Sequence, residues 1–391
     1  MKIAVVCPDD LSVVLFCKGI IDAVRTVEKS EVFVVCDVYG EGTNGYYTEV
    51  IKSWGVNHVP LKMNRHINLF ADLRYTGSLY KIFRDHKIDT VINISTKPNI
   101  YGTLAARLAH VKRTLCSVWG RGTAFVDHAD WTTKMLKYLL LSLYFVSFRL
   151  SSKVWFTNIN DYDYFLSNNI VPKDKTILTK NYVSTDDYVP YALSNEKSVN
   201  YKKEFHLGDQ DRVIIMVARM IWAKGVGEFA EAAEILRDRL PFVKFILVGP
   251  EETTSPDAVP EMYLKDAERK ANFMWIGFRN DVKDLYALSD VAVLPSYYRE
   301  GGYPRALTEP MAMGKPVIAA DSIDCRAPVE NGRNGFLVPI KDSKALAAAI
   351  ETLMVDEKKR EEFGRYSRMK AVTEYDEKVI VRQVVEAFWG K

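Results

Sequence analysis

Two doubly wound α/β domains with parallel sheets are what the sequence predicts, and three observations predict them. Short apolar runs recur along the chain and alternate with helical periodicity, the pattern of parallel strands joined by crossover helices. The series begins twice, near residue 2 and again near residue 212, on either side of a polar stretch with no clear period. A chain of 391 residues is long enough for two cores of ordinary size. The expected divisions are a first domain over 1–185, a junction over 186–210, a second domain over 211–372, and a closing helix over 373–391 that packs back on the first domain.

Composition narrows the function classes. With 48% hydrophobic and 26% charged residues the chain is ordinary globular material. A net charge of +3 and a pI of about 8.4 are too mild for a nucleic-acid partner, although a local basic patch suits an anionic membrane. Cys7, Cys17, Cys36, Cys116 and Cys325 show neither CxxC nor paired spacing, so buried reduced thiols are expected rather than disulfides or a metal site. The start, MKIAVVCPDD, goes directly into a strand, which is the pattern of a cytosolic chain and not of a signal peptide.

Taken in order, strands are expected at 2–6, 32–36, near His58, and at 90–94, 114–118 and 154–157, each followed by helical periodicity. Ser12 is the expected cap of the first helix. The loop before it lacks GxGxxG, which argues against a dinucleotide-binding dehydrogenase, and no GxxxxGK[ST] occurs, which removes the P-loop enzymes. The segment WTTKMLKYLLLSLYFVSFRL over 131–150 is the most apolar in the chain. Its apolar run is shorter than the roughly 18 residues that span a bilayer. Flanking Lys134, Lys137, Arg149 and Lys153 suit a membrane interface, and the all-round apolarity suits a core helix; both stay open. In the second half, strands are expected at 212–217, 243–248, 273–276, 291–294 and 317–319. A helix over 226–240 carries Phe229, Ala232, Ala233 and Leu236 on one face, and a last helix carries Ile380, Val384, Val385 and Phe388 behind a cap at Asp376.

Doubly wound sheets bind ligands beyond the carboxyl ends of their strands, so the residues just past those ends are the candidates. In the first domain these are Lys97 and Asn99 after one strand, and Gly120, Arg121 and Gly122 after the next. His128 follows shortly and is either structural or part of the same edge. In the second domain, Arg219 and Lys224 stand five apart in a strand-to-helix loop beside a helix N-terminus. That arrangement neutralises a diphosphate without metal. The stretch over 291–321 reads strand, glycine loop, helix, strand. Its Gly301 and Gly302 let the backbone approach a ligand, Pro304 suits the first helical turn, and Gly314 closes the helix. Amides there attract phosphate, while Glu300 and Glu309 accept hydrogen bonds from hydroxyls. A ligand with phosphates and hydroxyls together is a nucleotide sugar.

The pieces VARMIWAKGVGEF (217–229), FILVGP (245–250), the long run over 275–322 and NGRNGFLVPIKD (331–342) resemble glycosyltransferase family 4, the retaining nucleotide-sugar enzymes of GT-B fold. That fold has two Rossmann-like domains facing across a cleft. KPNIYGTLAARLA (97–109) and GRGTAF (120–125) resemble the subgroup that extends undecaprenyl-diphosphate-linked oligosaccharides in bacterial glycan assembly. The resemblance implies transfer of a hexose or N-acetylhexosamine from a UDP-sugar, without metal or other cofactor, to a polyprenyl-diphosphate-linked acceptor at the cytosolic face of the plasma membrane. It implies catalytic roles for Glu300, Arg219 and Lys224, with Arg219 and Lys224 on the donor diphosphate. Glu309 would take the ribose hydroxyls, Phe278 and Arg279 would border the base, and Glu300 with the 301–304 backbone (Gly301, Gly302, Tyr303, Pro304) would hold the sugar. Lys97, Asn99, Gly120, Arg121, Gly122 and His128 would line the acceptor side.

The chain departs from the family pattern in five places. Eight residues, not seven, separate Glu300 from Glu309, and Pro310 follows Glu309 inside the expected helix, where a kink is predicted. Arg121 stands where the subgroup has leucine, and the stretches over 156–163 and 181–188 match only loosely. A soluble acceptor, a hydrolysing nucleotide-sugar epimerase and a non-catalytic nucleotide-sugar binder are the alternatives, since fold alone does not choose among them.

Overall fold

The computed structural model describes residues 1–38, 45–64, 68–121, 125, 131–253, 255–298 and 302–390, the side chain of Thr132 excepted. The chain forms two compact units. The first comprises 1–181 with 377–391, and the second 182–376.

The first unit holds a seven-stranded sheet: β1 (Lys2–Asp9), β2 (Glu31–Asp37), β3 (Asn57–Pro60), β4 (Thr90–Ile94), β5 (Arg113–Val118), β6 (Lys153–Phe156) and β7 (Thr176–Leu178). Their spatial order is β3-β2-β1-β4-β5-β6-β7, and every pairing is parallel. Runs such as IAVVC (3–7) are apolar at every position because helices cover both faces of the sheet. One core holds Ala4, Val6, Phe33, Leu79, Phe83 and Val91, and a second holds Cys116, Tyr144, Phe148, Phe156 and Phe165. The cap of the first helix is Asp9, which accepts from the Ser12 amide at 2.8 Å; the expected cap, Ser12, instead sits inside the helix.

The second unit holds six parallel strands: β8 (Arg212–Val217), β9 (Val243–Val248), β10 (Phe273–Trp275), β11 (Val291–Leu294), β12 (Val317–Ala320) and β13 (Gly335–Val338). Their order is β10-β9-β8-β11-β12-β13. The order reverses between β8 and β11, as it does between β1 and β4 in the first unit, and such reversals open a crevice at the strands' carboxyl ends.

The polar stretch over 186–210 is not a separate junction. It contains the helix Asn195–Glu204, which buries Tyr201 and is followed by buried Phe205, both in the second unit's core. The helix is held by charge: Lys197 meets Asp284 at 2.7 Å, and the Tyr201 hydroxyl donates to Asp281 at 2.7 Å. The last helix, Glu377–Trp389, buries Ile380, Val381, Val384, Phe388 and Trp389 in the first unit.

Candidate active site

The β8/β11 reversal brings together two segments far apart in sequence. Beyond β8 the chain turns through 218–225 before the helix Val226–Leu236 begins. Asp257 shapes this turn: its carbonyl accepts from the Trp222 amide and its carboxylate from the Ala223 amide, both at 2.9 Å. Gly225 closes it at φ +83°, and a Cβ there would lie 2.4 Å from the Pro295 carbonyl oxygen, so only glycine fits against the end of β11. The segment after β11 is fastened in return. The amides of Tyr297 and Tyr298 both donate to the Ala223 carbonyl at 2.9 Å, and the Ser296 hydroxyl does so at 3.3 Å.

Arg219 and Lys224 therefore stand beside the 296–298 backbone. The Tyr298 ring lies beneath both, 5.5 Å from the Arg219 guanidinium carbon and 4.9 Å from Lys224 Nζ. Arg219 also meets Glu252 at 3.5 Å. The helix that follows begins at Gly225 with no side-chain cap, and a helix N-terminus of this kind favours an anion. Sequence reasoning missed Tyr298, Glu252 and Asp257. An aromatic directly after a strand end was the available signal for the first; the two carboxylates lie in the loop after β9 and gave none.

Glu309 sits in the helix Arg305–Ala312, and only 8% of it is exposed. Its Oε1 pairs with Arg305, one turn earlier, at 2.6 Å. Burial, then the neighbouring Glu309 charge, raises the Tyr188 phenol well above its ordinary range. The helix begins after Pro304 and runs through Pro310 to Ala312. Gly302 and Pro304 are buried, and the Tyr303 ring stands edge-on to Tyr375 at 5.6 Å. Glu300 and Gly301 lie outside the described residues.

Phe278 is 57% exposed beyond β10. Arg279 beside it forks onto Asp281, with Nε at 2.8 Å and Nη2 at 2.6 Å, and reaches Glu204 at 2.5 Å. Its guanidinium therefore anchors the helix Asn195–Glu204. The fork holds the Asp281 carboxyl down at about 2.

In the first unit three of the expected acceptor residues, Lys97, Asn99 and Arg121, are already engaged. Asn99 requires a correction: it is 0% exposed, donates to the Ser117 carbonyl at 2.8 Å and accepts from the Ser117 amide at 3.0 Å, so its amide locks β5 to the preceding turn. Lys97 pairs with buried Asp72 at 2.5 Å, and the Tyr101 hydroxyl adds a bond to the same carboxylate at 3.1 Å. Arg121 pairs with buried Asp161 at 2.7 Å and lies over the Tyr164 ring. Gly120 has φ +125° beside it. Gly122 and His128 lie outside the described residues. Among the described residues no three His, Cys, Asp or Glu side chains converge as metal ligands.

The helix Trp131–Leu150 has two apolar faces. Tyr144 and Phe148 point into the first unit's core, while Trp131 (71% exposed), Met135, Tyr138, Leu139, Phe145, Val146 and Leu150 point outward with Lys134 and Arg149 among them. No helix of the described residues is long and apolar enough to cross a membrane.

Comparison with known proteins assigns the chain. Residues 198–370 match the family model described as glycosyl transferases group 1, and residues 28–154 match glycosyl transferase 4-like. An undecaprenol-linked N-acetylgalactosaminyltransferase of Campylobacter jejuni, named as acting on N,N'-diacetylbacillosaminyl-diphospho-undecaprenol, is 26% identical over 390 residues, covering 99% of this chain and 98% of its own length. The Escherichia coli UDP-Gal:alpha-D-GlcNAc-diphosphoundecaprenol alpha-1,3-galactosyltransferase is 26% identical over 359 residues, covering 91% of this chain and 87% of its own. In fold, the chain is similar to Anabaena HepE solved with UDP and glucose (TM-score 0.79, 20% identity, all of both chains) and to the lipopolysaccharide glycosyltransferase WaaG (TM-score 0.68, 15% identity, all of both chains). With one matched model in each of its two parallel-sheet units, the chain has the GT-B fold and carries a glycosyl transferases group 1 region in its second unit and a glycosyl transferase 4-like region in its first.

Proposed function

We propose that the chain moves a hexose or N-acetylhexosamine from a UDP-sugar to a polyprenyl-diphosphate-linked glycan, with retention of the anomeric configuration and without metal. The observation that carries this is the cation pair, Arg219 and Lys224, gathered over one ring at the β8/β11 reversal. When the bond from the anomeric carbon to the donor phosphate breaks, negative charge builds on the leaving diphosphate. Two cations and uncapped helix amides held in advance stabilise that charge without reorganising. The acceptor hydroxyl oxygen forms the new bond to that carbon, and its proton leaves with the nucleotide diphosphate. Glu309 takes the ribose, with one oxygen committed to Arg305, and Phe278 borders the base.

The named relatives act on undecaprenol-linked glycans, which supports a lipid-linked acceptor here. The outward apolar face of Trp131–Leu150, with cations interspersed, suits the interface of an anionic bilayer, so the enzyme works as a peripheral protein at the cytosolic membrane face. Acceptor recognition in the first unit falls to the loops holding Lys97 and Arg121 rather than to the Asn99 amide.

Nucleotide release from a panel of UDP-sugars, with and without bacterial lipid extract, tests the reading. Release that depends on lipid is expected, with Arg219→Ala and Glu309→Ala each losing about 100- to 1000-fold; the Arg219→Ala melting curve should stay in place, while Glu309→Ala, which breaks the buried pair with Arg305, should melt lower. Release without lipid, accompanied by a changed sugar, would point to an epimerase. Unchanged turnover in both variants would reject the site.

A further inference from the structure

Arg219 and Lys224 pose a problem of their own before any donor arrives. Two like charges repel, and each would swing away into water unless something holds it. Glu252 answers part of this for Arg219, at 3.5 Å. An element common to both cations among the described residues is the Tyr298 ring, 5.5 Å from one and 4.9 Å from the other. An aromatic face carries partial negative charge and attracts a cation without competing for it as a carboxylate would. A carboxylate in this place would neutralise the pair and have to be displaced by a diphosphate. A ring gathers the two cations without itself adding a charge that a diphosphate must displace.

The ring is itself fixed. Its backbone amide donates to the Ala223 carbonyl at 2.9 Å and to the Ser296 hydroxyl at 3.2 Å, so the residue bearing the ring is tied to the turn that carries Lys224. Its neighbour makes a useful contrast: the Tyr297 ring lies under Lys341 at 4.7 Å and meets neither Arg219 nor Lys224.

We infer that Tyr298 is a positioning residue for the donor diphosphate, acting through its ring on Arg219 and Lys224 and not through its hydroxyl. The inference rests on the assignment of those two cations to a UDP-sugar donor.

Binding of UDP and of uridine to the full chain, by titration calorimetry, separates the two questions. A cation–π contact at a partly exposed site is worth enough that losing two should weaken UDP by roughly 5- to 30-fold. Tyr298→Leu is therefore expected to show that loss for UDP and none for uridine, which lacks the diphosphate. Tyr298→Phe keeps the ring and should bind both as the parent does, and Tyr297→Leu should also bind as the parent does. If Tyr298→Leu binds UDP unchanged, or loses UDP and uridine equally, the positioning role is overturned while the donor assignment stands. If Tyr298→Phe loses as much as Tyr298→Leu, the hydroxyl and not the ring is at work, and the proposal falls. If the parent chain binds no UDP, the donor assignment falls and takes this proposal with it.

Discussion

Arg279 forks onto Asp281 and reaches Glu204, so a cation standing just past a strand end is committed within its own unit. The fork has a measurable signature in acid. The Asp281 carboxyl is held at about 2, below the ordinary carboxylate value of about 3.9 in an unfolded chain. A depressed folded pKa adds stability above the unfolded value, and that contribution disappears as pH falls through the folded one. Arg279→Met should therefore lower the second unit's thermal midpoint by a constant amount from pH 7 to about 5. The gap to the parent should narrow between about pH 4 and pH 2. Because much of the group is open to solvent, screening makes the gap small. A gap that ignores pH would show that the fork adds nothing through charge. The same residue marks the limit of what sequence shows. Arg219 and Lys224 were legible because a strand, its end and a helix start all lie within a dozen residues. The counter-charges that occupy Lys97 and Arg121 stand 25 and 40 positions away, and nothing local announces them; of the two carboxylates on Arg279, Asp281 is two residues on and only Glu204, 75 away, is hidden from sequence.

Elements with a strong period were legible, and those held by charge or by length were not. The helix Val226–Leu236 shows its buried face plainly, while Asn195–Glu204 buries only Tyr201 along its length and leaves no stripe to find. β7 and β13 are three and four residues long with partly exposed positions, below what alternation can mark. Trp131–Leu150 is the opposite case, apolar on two faces, so that sequence could not choose between core and membrane. The structure gives each face its own direction, inward at Tyr144 and Phe148 and outward at Trp131, Tyr138 and Leu139. If the outward face enters a bilayer interface, each large side chain contributes about 1 kcal/mol of partitioning, taking partial burial into account. Trp131→Ser, Tyr138→Ser and Leu139→Ser together should weaken sedimentation with anionic lipid vesicles about 100-fold. UDP binding, proposed above for the other unit, should stay as it was. Equal vesicle binding by the triple variant would reject the helix as the docking element.

At the scale of the whole chain, the first unit is completed by residues from the opposite end of the sequence. The chain leaves that unit after Asn181 and returns at Glu377. Glu377 accepts from the Gly19 amide at 3.0 Å, at the start of the final helix, and a Cβ on Gly19 would lie 2.1 Å from the Glu377 side chain. Behind that contact, Ile380, Val381, Val384, Phe388 and Trp389 are buried. Each fully buried side chain of this kind is worth about 1.5–3 kcal/mol against water, an upper bound because unfolded chains also bury surface. Five together reach the whole stability of an ordinary domain, about 5–15 kcal/mol. Removing 377–391 should therefore unfold the first unit. The second unit, with its own six-stranded sheet and core, should persist and keep UDP affinity while transfer is lost. Gly19→Ala is the graded form of the same experiment. The Glu377 carboxylate can swing aside, so the cost is one charged hydrogen bond to an amide, about 1.5–3 kcal/mol at most. Denaturant melts followed by UDP titration of both variants decide the matter. A truncated chain whose first unit melts like the parent's would show that the last helix only rests on a core already complete without it.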